Sequence, residues 1–383
     1  MRSKENIRDK IHKTIVDSQC KSGGILASEE KDRYPFVFPR DCYFITKAML
    51  KLDEIDRVKK YLLFLKDVQK ENGEWVQRYK PNGNLSVTRE KETDVNGLVL
   101  ENIWNFYKKT KDKDFLEKMW PTVKKGVQYL LSMQKNGLIY GKHAIHENKY
   151  LEEGFEIWTN CWAVKGLKSA VRIASVLNKD FDNWEEKSKK LKKKILDKFW
   201  DEKNETFIKT IKLDGERFSS PDISMVSPVW LGLIPIKDKR TRKTIKYISS
   251  LWDEAIGGYH RFHFWQDVKD WHWYDGGDGS WSVYTLVMLH LHKKLGHKRA
   301  SDCRKWIEKI LSKGPYLPEH VSQKKDFDEW LENEKDMTPW IKEGVKKAKK
   351  TKTKLNGKEI LFWAYPLNWP CAELIDNWED EFL

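Results

Sequence analysis

Apolar residues recur at steps of three and four along most of this 383-residue chain. Residues at that spacing fall on one stripe of an α-helix, so the period predicts amphipathic helices that each bury one face. One such stripe, in the stretch 114–134, consists of Phe115, Met119, Val123, Val127, Leu130 and Met133. The pattern predicts about twelve helices, near residues 4–19, 41–52, 56–70, 94–109, 114–134, 160–177, 182–199, 222–234, 240–253, 279–294, 299–312 and 367–377.

The connections between these helices alternate between short and long. The long connections are rich in Gly, Pro, Trp and Tyr and span residues 71–93, 135–159, 200–221, 254–278 and 313–366. Helix pairs of roughly 60 residues with one long loop per pair are what an (α/α)6 barrel requires, with six inner helices ringed by six outer ones. We therefore predict an all-α fold, a single (α/α)6 barrel domain over residues 1–383, with short β-hairpins in loops such as 206–211. The alternative, an open helical solenoid, requires a repeat consensus that the sequence lacks.

The charge of the chain is strongly positive, with 72 Lys and Arg against 58 Asp and Glu and a formal net charge of +14. A basic protein is a candidate for nucleic-acid binding, because lysine and arginine neutralise phosphates. Here the lysines are spread over nearly every amphipathic segment, which is typical of a solvated surface, so no nucleic-acid partner is predicted. The densest run lies in 324–358, which we interpret as a lysine-rich, solvated insertion within the barrel domain.

Several functional classes are disfavoured by what the sequence lacks. No apolar run approaches the ~18 residues of a membrane span, and the first residues lack the apolar core of a signal peptide. We therefore expect a cytoplasmic protein without a membrane partner. The five cysteines form no Cys-x-x-Cys pair, and none of the 10 histidines belongs to a His-Glu-x-x-His motif. No metal or other cofactor is predicted.

Tryptophan is unusually frequent, with 19 residues. Its flat apolar face suits the C–H face of a sugar ring, so this content favours carbohydrate binding. The candidate stacking platforms are Trp75, Trp158, Trp271, Trp273 and Trp281. For each of them, packing in the core is an equally good explanation. Trp75 and Trp158 are retained as substrate-binding candidates, whereas Trp281 is assigned to the core because it shares a helical stripe with Tyr284 and Val287.

Eight short motifs follow one another from about residue 20 to the end of the chain. They are Gly23-Gly-Ile-Leu-Ala-Ser28, Tyr34-Pro-Phe-Val-Phe-Pro-Arg-Asp41, Trp75-Val-Gln-Arg-Tyr79, Glu92-Thr-Asp-Val-Asn-Gly97, Trp120-Pro121, Gly257-Gly-Tyr-His-Arg-Phe262, Leu317-Pro-Glu-His-Val321 and Pro366-Leu-Asn-Trp369. Together they resemble the glucoamylase family of glycoside hydrolases (family 15), which includes glucodextranases and some trehalases. The resemblance implies action on α-glucosides.

The resemblance also implies roles for single residues. Arg40 and Asp41 match the pair that binds the non-reducing glucose, and Asp94 and Arg261 match sugar-contacting loop positions. From the residues alone, Asp41 and Asp94 are equally explained as helix caps, and Arg40 and Arg261 as surface charges. An arginine beside a carboxylate offers donors and acceptors to vicinal hydroxyls, which favours sugar binding.

Glu319, in Leu317-Pro-Glu-His-Val321, is the best candidate for a catalytic residue. An inverting glycosidase needs an ionised carboxylate that deprotonates a water on the far face of the anomeric carbon. The segment resembles the family's general-base motif, and a loop position beside Pro318 suits a rigidly held side chain. The alternative is an exposed loop glutamate, the commonest environment of this residue type.

The general acid is where the sequence departs from the family. The family has a glutamate directly after the tryptophan of an Asp-Leu-Trp-Glu-Glu-like motif, whereas this chain reads Glu153-Gly-Phe-Glu156-Ile-Trp158-Thr159. Threonine has no pKa near the operating pH, so Thr159 cannot supply the proton. Glu156 is the provisional acid because it matches the family's aspartate three residues earlier, and Glu153 is a second candidate. An acid here needs a pKa raised by apolar neighbours such as Phe155 and Trp158.

The sequence thus predicts an inverting, exo-acting α-glucosidase, similar to glucoamylase or glucodextranase, that releases glucose from the non-reducing ends of α-glucans or oligosaccharides. Thr159 keeps two alternatives open. One is a catalytically impaired barrel that binds glucan or regulates another protein, and the other is a trehalase or other α-glucoside-acting relative with altered acid chemistry. The central expectation is that Arg40, Asp41 and Glu319 meet around one sugar-sized hollow.

Overall fold

Helices dominate the described part of the chain, as the apolar period predicted. The computed structural model describes residues 4–29, 32–86, 89–262, 275–335 and 337–382. The α-helices in these ranges are α1 (Lys4–Asp17), α2 (Pro39–Lys51), α3 (Ile55–Asp67), α4 (Asp94–Thr110), α5 (Lys113–Ser132), α6 (Lys149–Glu152), α7 (Ile157–Leu177), α8 (Trp184–Lys198), α9 (Ser227–Trp230), α10 (Lys239–Tyr247), α11 (Ser282–Leu295), α12 (Arg299–Lys313), α13 (Lys324–Asn333), α14 (Pro339–Lys350) and α15 (Asn368–Phe382). Within the same ranges, no helix combines the length and the apolar character needed to cross a bilayer.

Six helices, α2, α4, α7, α9, α11 and α15, form an inner ring. Packing contacts join α2 to α4, α4 to α7, α7 to α9 and α11 to α15. The last inner helix, α15, also packs on α2 and so closes the ring. Side chains of α2, α7, α9, α11 and α15 line one common space of about 150 Å³ inside it. These helices are buried on most sides because each contacts its neighbours in the ring and a partner outside it.

Six further helices, α1, α3, α5, α8, α10 and α12, form the outer layer. Packing joins α3 to α2, α5 to α4, α8 to α7, α12 to α11 and α1 to α15. The sixth, α10, packs on the 3-10 helix Ile223–Val226 that leads into α9. Inner and outer helices alternate along the chain, so the predicted (α/α)6 barrel is confirmed.

Helices α4 and α7 cross in direct backbone contact. A Cβ atom on Gly97 would lie 2.4 Å from the carbonyl oxygen of Trp162, and one on Gly166 would lie 2.7 Å from the Cα of Gly97. Glycine is required at both positions because a larger side chain would push the two helices apart.

Several predicted helices differ in their bounds. The helix predicted over 240–253 ends at Tyr247 and is followed by a 3-10 helix, Ile248–Leu251, and the last helix extends past residue 377 to Phe382. In place of the helix predicted over 222–234, the structure has a 3-10 helix followed by the four-residue α9. Pro228 lies in the first turn of α9, and Gly232, just after its end, has a φ of 75°. Proline favours a helix start and a left-handed glycine ends one, so the element stays short. The helix predicted from residue 279 begins at Ser282, because Gly279–Trp281 pair as a strand.

Short antiparallel strands occupy the long loops. They are β1 (Gln134–Lys135), β2 (Leu138–Ile139), β3 (Phe155–Glu156), β4 (Trp200–Asp201), β5 (Thr206–Phe207), β6 (Thr210–Ile211), β7 (Arg217–Phe218), β8 (Gly279–Trp281), β9 (His320–Gln323), β10 (Thr353–Leu355) and β11 (Lys358–Trp363). The largest sheet has the order β10-β11-β9-β8, and another has the order β3-β6-β7. The hairpins predicted around 206–211 lie in β4-β5 and β6-β7.

The lysine-rich segment 324–358 is folded into α13, α14, β10 and the start of β11. Its helices bury a second apolar cluster, separate from the main core, against residues 36–38 and β11. The cluster includes Phe36, Phe38, Phe327, Trp330, Ile341, Val345, Leu361 and Trp363. The lysines Lys342, Lys346, Lys349 and Lys350 lie on the opposite, exposed face of α14. The segment is therefore an amphipathic helix pair that supports the loop before α2, while its status within a single domain stays a prediction.

Candidate active site

A cavity of about 410 Å³ lies at the N-terminal ends of three inner helices, α2, α11 and α15. Asp41 reaches it from the first turn of α2, Tyr284 from the first turn of α11 and Trp369 from the first turn of α15. Helix N-termini carry partial positive charge, so this end of the ring favours negative charge.

Charged and aromatic side chains make up most of the cavity wall. The basic ones among the described residues are Arg33, Arg40, Arg78, Arg89, Lys149 and Arg261, and the acidic ones are Asp41, Glu147, Asp275 and Glu319. The aromatic ones are Tyr34, Phe38, Tyr150, Trp281, Tyr284 and Trp369. Carboxylates and guanidinium groups bind hydroxyls, and aromatic faces pack on sugar C–H groups, so the wall has the chemistry of a carbohydrate site.

Glu319 is held in the wall by its own backbone. Its N–H donates to the carbonyl oxygens of Trp363 (3.0 Å) and Ala364 (3.2 Å), and its carbonyl oxygen accepts from the N–H of Ser282 (3.0 Å). These bonds fix the residue between the end of β11 and the start of α11. The Tyr34 hydroxyl donates to Oε2 of Glu319 at 2.8 Å, so the side chain is oriented as well.

The pKa of Glu319 is raised to about 7, chiefly by burial. The Tyr34 hydrogen bond and the positive charges of Arg261 and Arg33 oppose this rise, and the negative charge of Glu147 adds to it. The carboxyl therefore titrates near neutral pH, which is the range that a general acid or base requires.

Asp41 faces the same cavity from α2, which begins at Pro39. Burial raises its pKa to about 7; Arg40 opposes the rise, while Glu147 and Glu319 add to it. The negative charges of Glu147 and Glu319 thus act on Asp41, and that of Glu147 acts on Glu319 as well. The structure thus brings Arg40, Asp41 and Glu319 together around a single hollow, the arrangement that the sequence led us to expect.

Most of the N–H groups of Arg40 donate hydrogen bonds to other groups of the protein. It donates from Nε to Asp94 (2.9 Å), from Nη2 to Glu92 (2.8 Å) and from Nη1 to Glu147 (3.3 Å). Asp94 is fully buried and also accepts from the indole N–H of Trp158 at 2.8 Å. Arg40 therefore lines the cavity, whereas Asp94 and Trp158 lie behind it and tie α2, α4 and α7 together.

The tryptophans predicted to stack on a sugar do not all lie at the cavity. Trp75 and Trp158 are fully buried and do not line the cavity. The indole of Trp75 donates to the carbonyl oxygen of Leu65 at 2.7 Å, so its polar edge is satisfied in the core. In this structure neither ring is placed to stack on a sugar in the cavity. Trp271 and Trp273 lie outside the described residues.

Trp281, which the helical stripe assigned to the core, is buried and also forms part of the cavity wall. The Arg261 guanidinium carbon lies 4.5 Å from its ring centroid, and the His320 ring stacks on it at 4.9 Å. Its indole is therefore both a core element and a surface of the site. The period predicted its burial correctly but not its second role.

Arg261 is anchored by a buried chain of polar groups. Its Nε donates to Nδ1 of His146 at 2.7 Å, and Nε2 of His146 lies 2.9 Å from Asp222. Because arginine only donates, Nδ1 must be an acceptor, so His146 is neutral and donates from Nε2 to Asp222. Burial lowers the pKa of His146 to about 4, which agrees with the neutral form. Behind Asp222 lies Lys209, 3.6 Å away.

Glu156, the provisional general acid, does not line the cavity. It is 1% exposed, and its Oε2 accepts from the Thr159 N–H at 2.8 Å and thereby caps α7. Its Oε1 lies 3.4 Å from Nζ of Lys209. Glu153 bonds instead to the Tyr140 hydroxyl at 2.9 Å, also away from the cavity. Glu156 precedes α7 with extended backbone, φ −96° and ψ 140°, so its carboxylate is placed to accept an N–H of the first helical turn that has no partner within the helix.

Several cavity residues were not among the sequence candidates: Arg33, Tyr34, Arg78, Arg89, His146 and Glu147. Tyr34 and Arg78 belong to motifs that carried the family resemblance, so a signal for them existed. The others lie in long loops without periodicity, where position in the sequence gives no indication of position in space.

A closed ring of helix pairs, with carboxylates and aromatic rings gathered in a cavity at one end, defines the class of six-hairpin glycosidases. A family model, described as the bacterial α-L-rhamnosidase six-hairpin glycosidase domain, matches residues 40–254, more than half of the chain. The chain belongs to this family of six-hairpin glycosidase domains.

A curated relative from Methanocaldococcus jannaschii, an uncharacterized glycosyl hydrolase, is 25% identical over 287 residues. The match covers 72% of this chain but only 43% of that protein, so the chain spans less than half the length of the relative. Similarity in fold to solved structures covers a larger share of this chain. A bacterial glucoamylase complexed with acarbose has a TM-score of 0.70 at 18% identity, and the match covers 96% of this chain and 54% of the glucoamylase chain.

A family 63 mannosylglycerate hydrolase of Thermus thermophilus, in complex with glucose, has a TM-score of 0.63 at 12% identity, and the match covers 97% of this chain and 99% of the hydrolase chain. Both likenesses establish the fold. Because two different glycosidase families resemble the chain to a similar degree, its predicted place in the glucoamylase family stays a prediction.

Proposed function

We propose that this protein is an inverting, exo-acting α-glucosidase, similar to glucoamylase or glucodextranase, that releases glucose from the non-reducing ends of α-glucans. The observation that carries the proposal is the convergence of Arg40, Asp41, Arg261 and Glu319 on one cavity of about 410 Å³. These are the residues that the glucoamylase resemblance assigns to the terminal glucose and to the general base. The acarbose and glucose complexes of two neighbours of the same fold support a glucoside substrate.

Exo action is supported by the floor of the cavity. Trp369 lines the cavity and stacks on Phe44 with ring centroids 4.5 Å apart, and Phe44 stacks on Trp230 at 6.3 Å. Phe44 and Trp230 line the separate space deeper in the ring, so this aromatic layer divides the two. A glucan chain then enters from the loop end and stops with its terminal sugar on the floor.

Glu319 serves as the general base in this mechanism. Among the described residues its side chain receives one hydrogen bond, from Tyr34 to Oε2, which leaves Oε1 to deprotonate a water. The raised pKa, about 7, makes it a stronger base than an exposed glutamate. The backbone bonds on both sides of the residue keep the carboxylate in place as the water attacks the anomeric carbon.

Asp41 is the better candidate for the general acid than Glu156. Its pKa is also about 7, so a protonated fraction is present at neutral pH, and it faces the cavity. Glu147 is unsuitable, because Arg89, Arg40 and other arginines outweigh its burial and lower its pKa. Glu156 has a raised pKa but both of its oxygens are engaged behind the wall.

The test is glucose release from maltooligosaccharides, isomaltooligosaccharides and trehalose, with the anomer identified by NMR. An inverting α-glucosidase releases β-glucose first. We expect Glu319→Gln and Asp41→Asn each to lower kcat by ~10²–10⁴-fold, the usual contribution of a general base or acid. Glu156→Gln keeps kcat within a few-fold. Glu308→Gln, at a half-exposed site on α12, is the control. Unchanged turnover in Glu319→Gln would remove this residue from the mechanism.

A second candidate is a barrel that binds carbohydrate without cleaving it. It is favoured by Thr159 at the family's acid position and by the engagement of Glu156 in a cap and an ion pair. Calorimetry on the same oligosaccharides separates the two. Binding with no glucose released by the wild-type protein favours the binding barrel, whereas release of β-glucose rejects it.

A further inference from the structure

Among the described residues, basic side chains outnumber acidic ones in the cavity wall. Six basic and four acidic side chains of these residues line it, all named above. Asp41 and Glu319 titrate at a pKa of about 7, so at neutral pH each carries only part of its charge. Three inner helices also direct their positive ends toward this space. A neutral glucan requires no such surplus, because hydroxyls are satisfied by neutral or paired groups.

Ion pairs hold several of these basic groups. Arg40 is paired with Asp94 and Glu92, which lie behind the wall. Glu147 is shared between Arg40 and Arg89, and Arg33 is paired with Asp275. Arg89 lines the cavity with a side chain that is 47% exposed, so a ligand can reach it from solvent.

Arg33 has donors that the described protein groups leave unused. It is 8% exposed, and its Nη2 pairs with Asp275. Its Nε and Nη1 are buried and find no acceptor among the described residues. Buried donors without an acceptor are costly, so a ligand acceptor is expected at this position. The guanidinium also lies 4.4 Å from the ring of Tyr34, the residue that holds Glu319, so it belongs to the wall beside the base.

Arg78 is close enough to two other arginines, Arg33 and Arg89, to be affected by their charge. Its guanidinium carbon is 4.7 Å from the ring of Phe36 and 5.9 Å from that of Phe38. Burial lowers its pKa, and the charges of Arg33 and Arg89 lower it further, although Glu147 opposes them. Like charges repel, and an anion bound near Arg78 relieves the repulsion that Arg33 and Arg89 exert on it.

We propose that the preferred substrate is an α-glycoside that carries a carboxylate or a phosphate, and that Arg33, Arg78 and Arg89 bind this anionic group. The glycosidic half of the proposal rests on the proposed function, whereas the anion contact stands independently of cleavage. Guanidinium forks match the planar oxygens of both anions, so the site recognises their shared chemistry.

The experiment uses matched pairs of ligands that differ in the anion. Maltobionate is compared with maltitol for a carboxylate on the leaving group, trehalose 6-phosphate with trehalose for a phosphate, and p-nitrophenyl α-glucuronide with p-nitrophenyl α-glucoside for a carboxylate on the sugar. Dissociation constants are measured by calorimetry in low and high concentrations of NaCl, and product release is measured on the same ligands. We expect the anionic member of at least one pair to bind about tenfold or more tightly in low salt, and the preference to fall in high salt.

Variants assign the preference to the arginines. Arg78→Gln and Arg89→Gln are expected to reduce the preference at least threefold, while Arg57→Gln, at a partly exposed site on α3, leaves it unchanged. Thermal unfolding checks that each variant is folded, and the half-exposed Arg89 keeps the test available if Arg78→Gln is unstable. A preference below tenfold in every pair, no binding of any ligand, or a preference that survives in both variants overturns the proposal.

Turnover separates this proposal from the proposed function. Cleavage of neutral glucosides without an anionic preference overturns the anion site and leaves the α-glucosidase standing. An anionic preference without cleavage supports the anion site and rejects the α-glucosidase.

Discussion

Lys209 provides a direct test of how the barrel supports its cavity. The side chain is 3% exposed, and its Nζ lies 3.4 Å from Oε1 of Glu152, 3.4 Å from Oε1 of Glu156 and 3.6 Å from Oδ2 of Asp222. Lys209→Met keeps much of the volume and removes the charge. Three buried carboxylates then lose their shared cation, and Asp222 is the group that orients His146 against Arg261.

The expected loss of stability is large because the remaining charges stay buried. Removing one partner of a buried ion pair costs ~3–5 kcal/mol. An unfolding entropy of about 2.1 cal/mol/K per residue amounts to ~0.8 kcal/mol/K for 383 residues, so Tm should fall by ~4–6 °C at pH 7.

The loss should also depend on pH. In the wild-type protein burial raises the pKa of Glu156 to about 7 against the opposing charge of Lys209, while Lys209 and His146 outweigh burial at Glu152 and hold its pKa at about 2. Without Lys209 both values rise. A carboxyl with a raised folded pKa contributes stability below its unfolded pKa and loses it as pH rises through the folded value. The deficit of Lys209→Met is therefore smaller at pH 5 than at pH 8.

The assay is thermal unfolding followed by circular dichroism at pH 5, 6, 7 and 8. Lys190→Met is the control, because its partner Glu186 is solvent-exposed and no measurable change in Tm is expected. Adding Glu156→Gln to Lys209→Met should restore part of the loss by removing one uncompensated carboxylate. A deficit under ~1 °C at pH 7, or one equal at pH 5 and pH 8, would refute the reasoning.

Three further predictions follow from single contacts. Tyr34→Phe removes a hydrogen bond that lowers the pKa of Glu319, so the acidic limb of the kcat/KM profile should move to higher pH; an unmoved limb counts against Glu319 as the base. His146→Phe removes the group that accepts a hydrogen bond from Nε of Arg261. Such a charge-assisted hydrogen bond contributes ~1.5–3 kcal/mol, so KM should rise about tenfold or more while kcat is less affected. Equal effects on KM and kcat would contradict a positioning role for His146. Gly97→Ala forces α4 away from α7 and should cost ~1–3 kcal/mol of unfolding free energy in urea, and a neutral result would show that the contact relaxes freely.

The fold could be predicted from the sequence because each amphipathic helix produces a local period of apolar residues. The stripe over 114–134 predicted α5, observed as Lys113–Ser132, and α4 (Asp94–Thr110) and α12 (Arg299–Lys313) agree with their predictions as closely. Predictions failed where a few residues override the period. Around residues 222–234, Pro228 and Gly232 shorten the helix, and in 324–358 the lysines concealed an apolar face that the second cluster buries.

The residues of the candidate site could be predicted from the sequence only in part. Sequence motifs located Arg40, Asp41 and Glu319, because these stand at helix ends or in loops that the barrel topology brings together. Motifs do not distinguish a residue that faces a cavity from one directly behind it. Asp94 matched the sugar-contacting pattern, yet it is fully buried at the start of α4 and accepts a hydrogen bond from Arg40, so it holds a cavity residue rather than lining the cavity.

The carboxylates of the cavity fall into two groups, and this division determines what chemistry is available. Glu147 is surrounded by arginines that lower its pKa, so it stays ionised and fixes Arg40 and Arg89. At Asp41 and Glu319 burial outweighs the nearby arginines and raises the pKa to about 7. The charge of Glu319 raises the pKa of Asp41, so ionisation of one favours the protonated form of the other. In the proposed mechanism, the protonated Asp41 serves as the acid and the ionised Glu319 as the base, the combination that an inverting glycosidase uses.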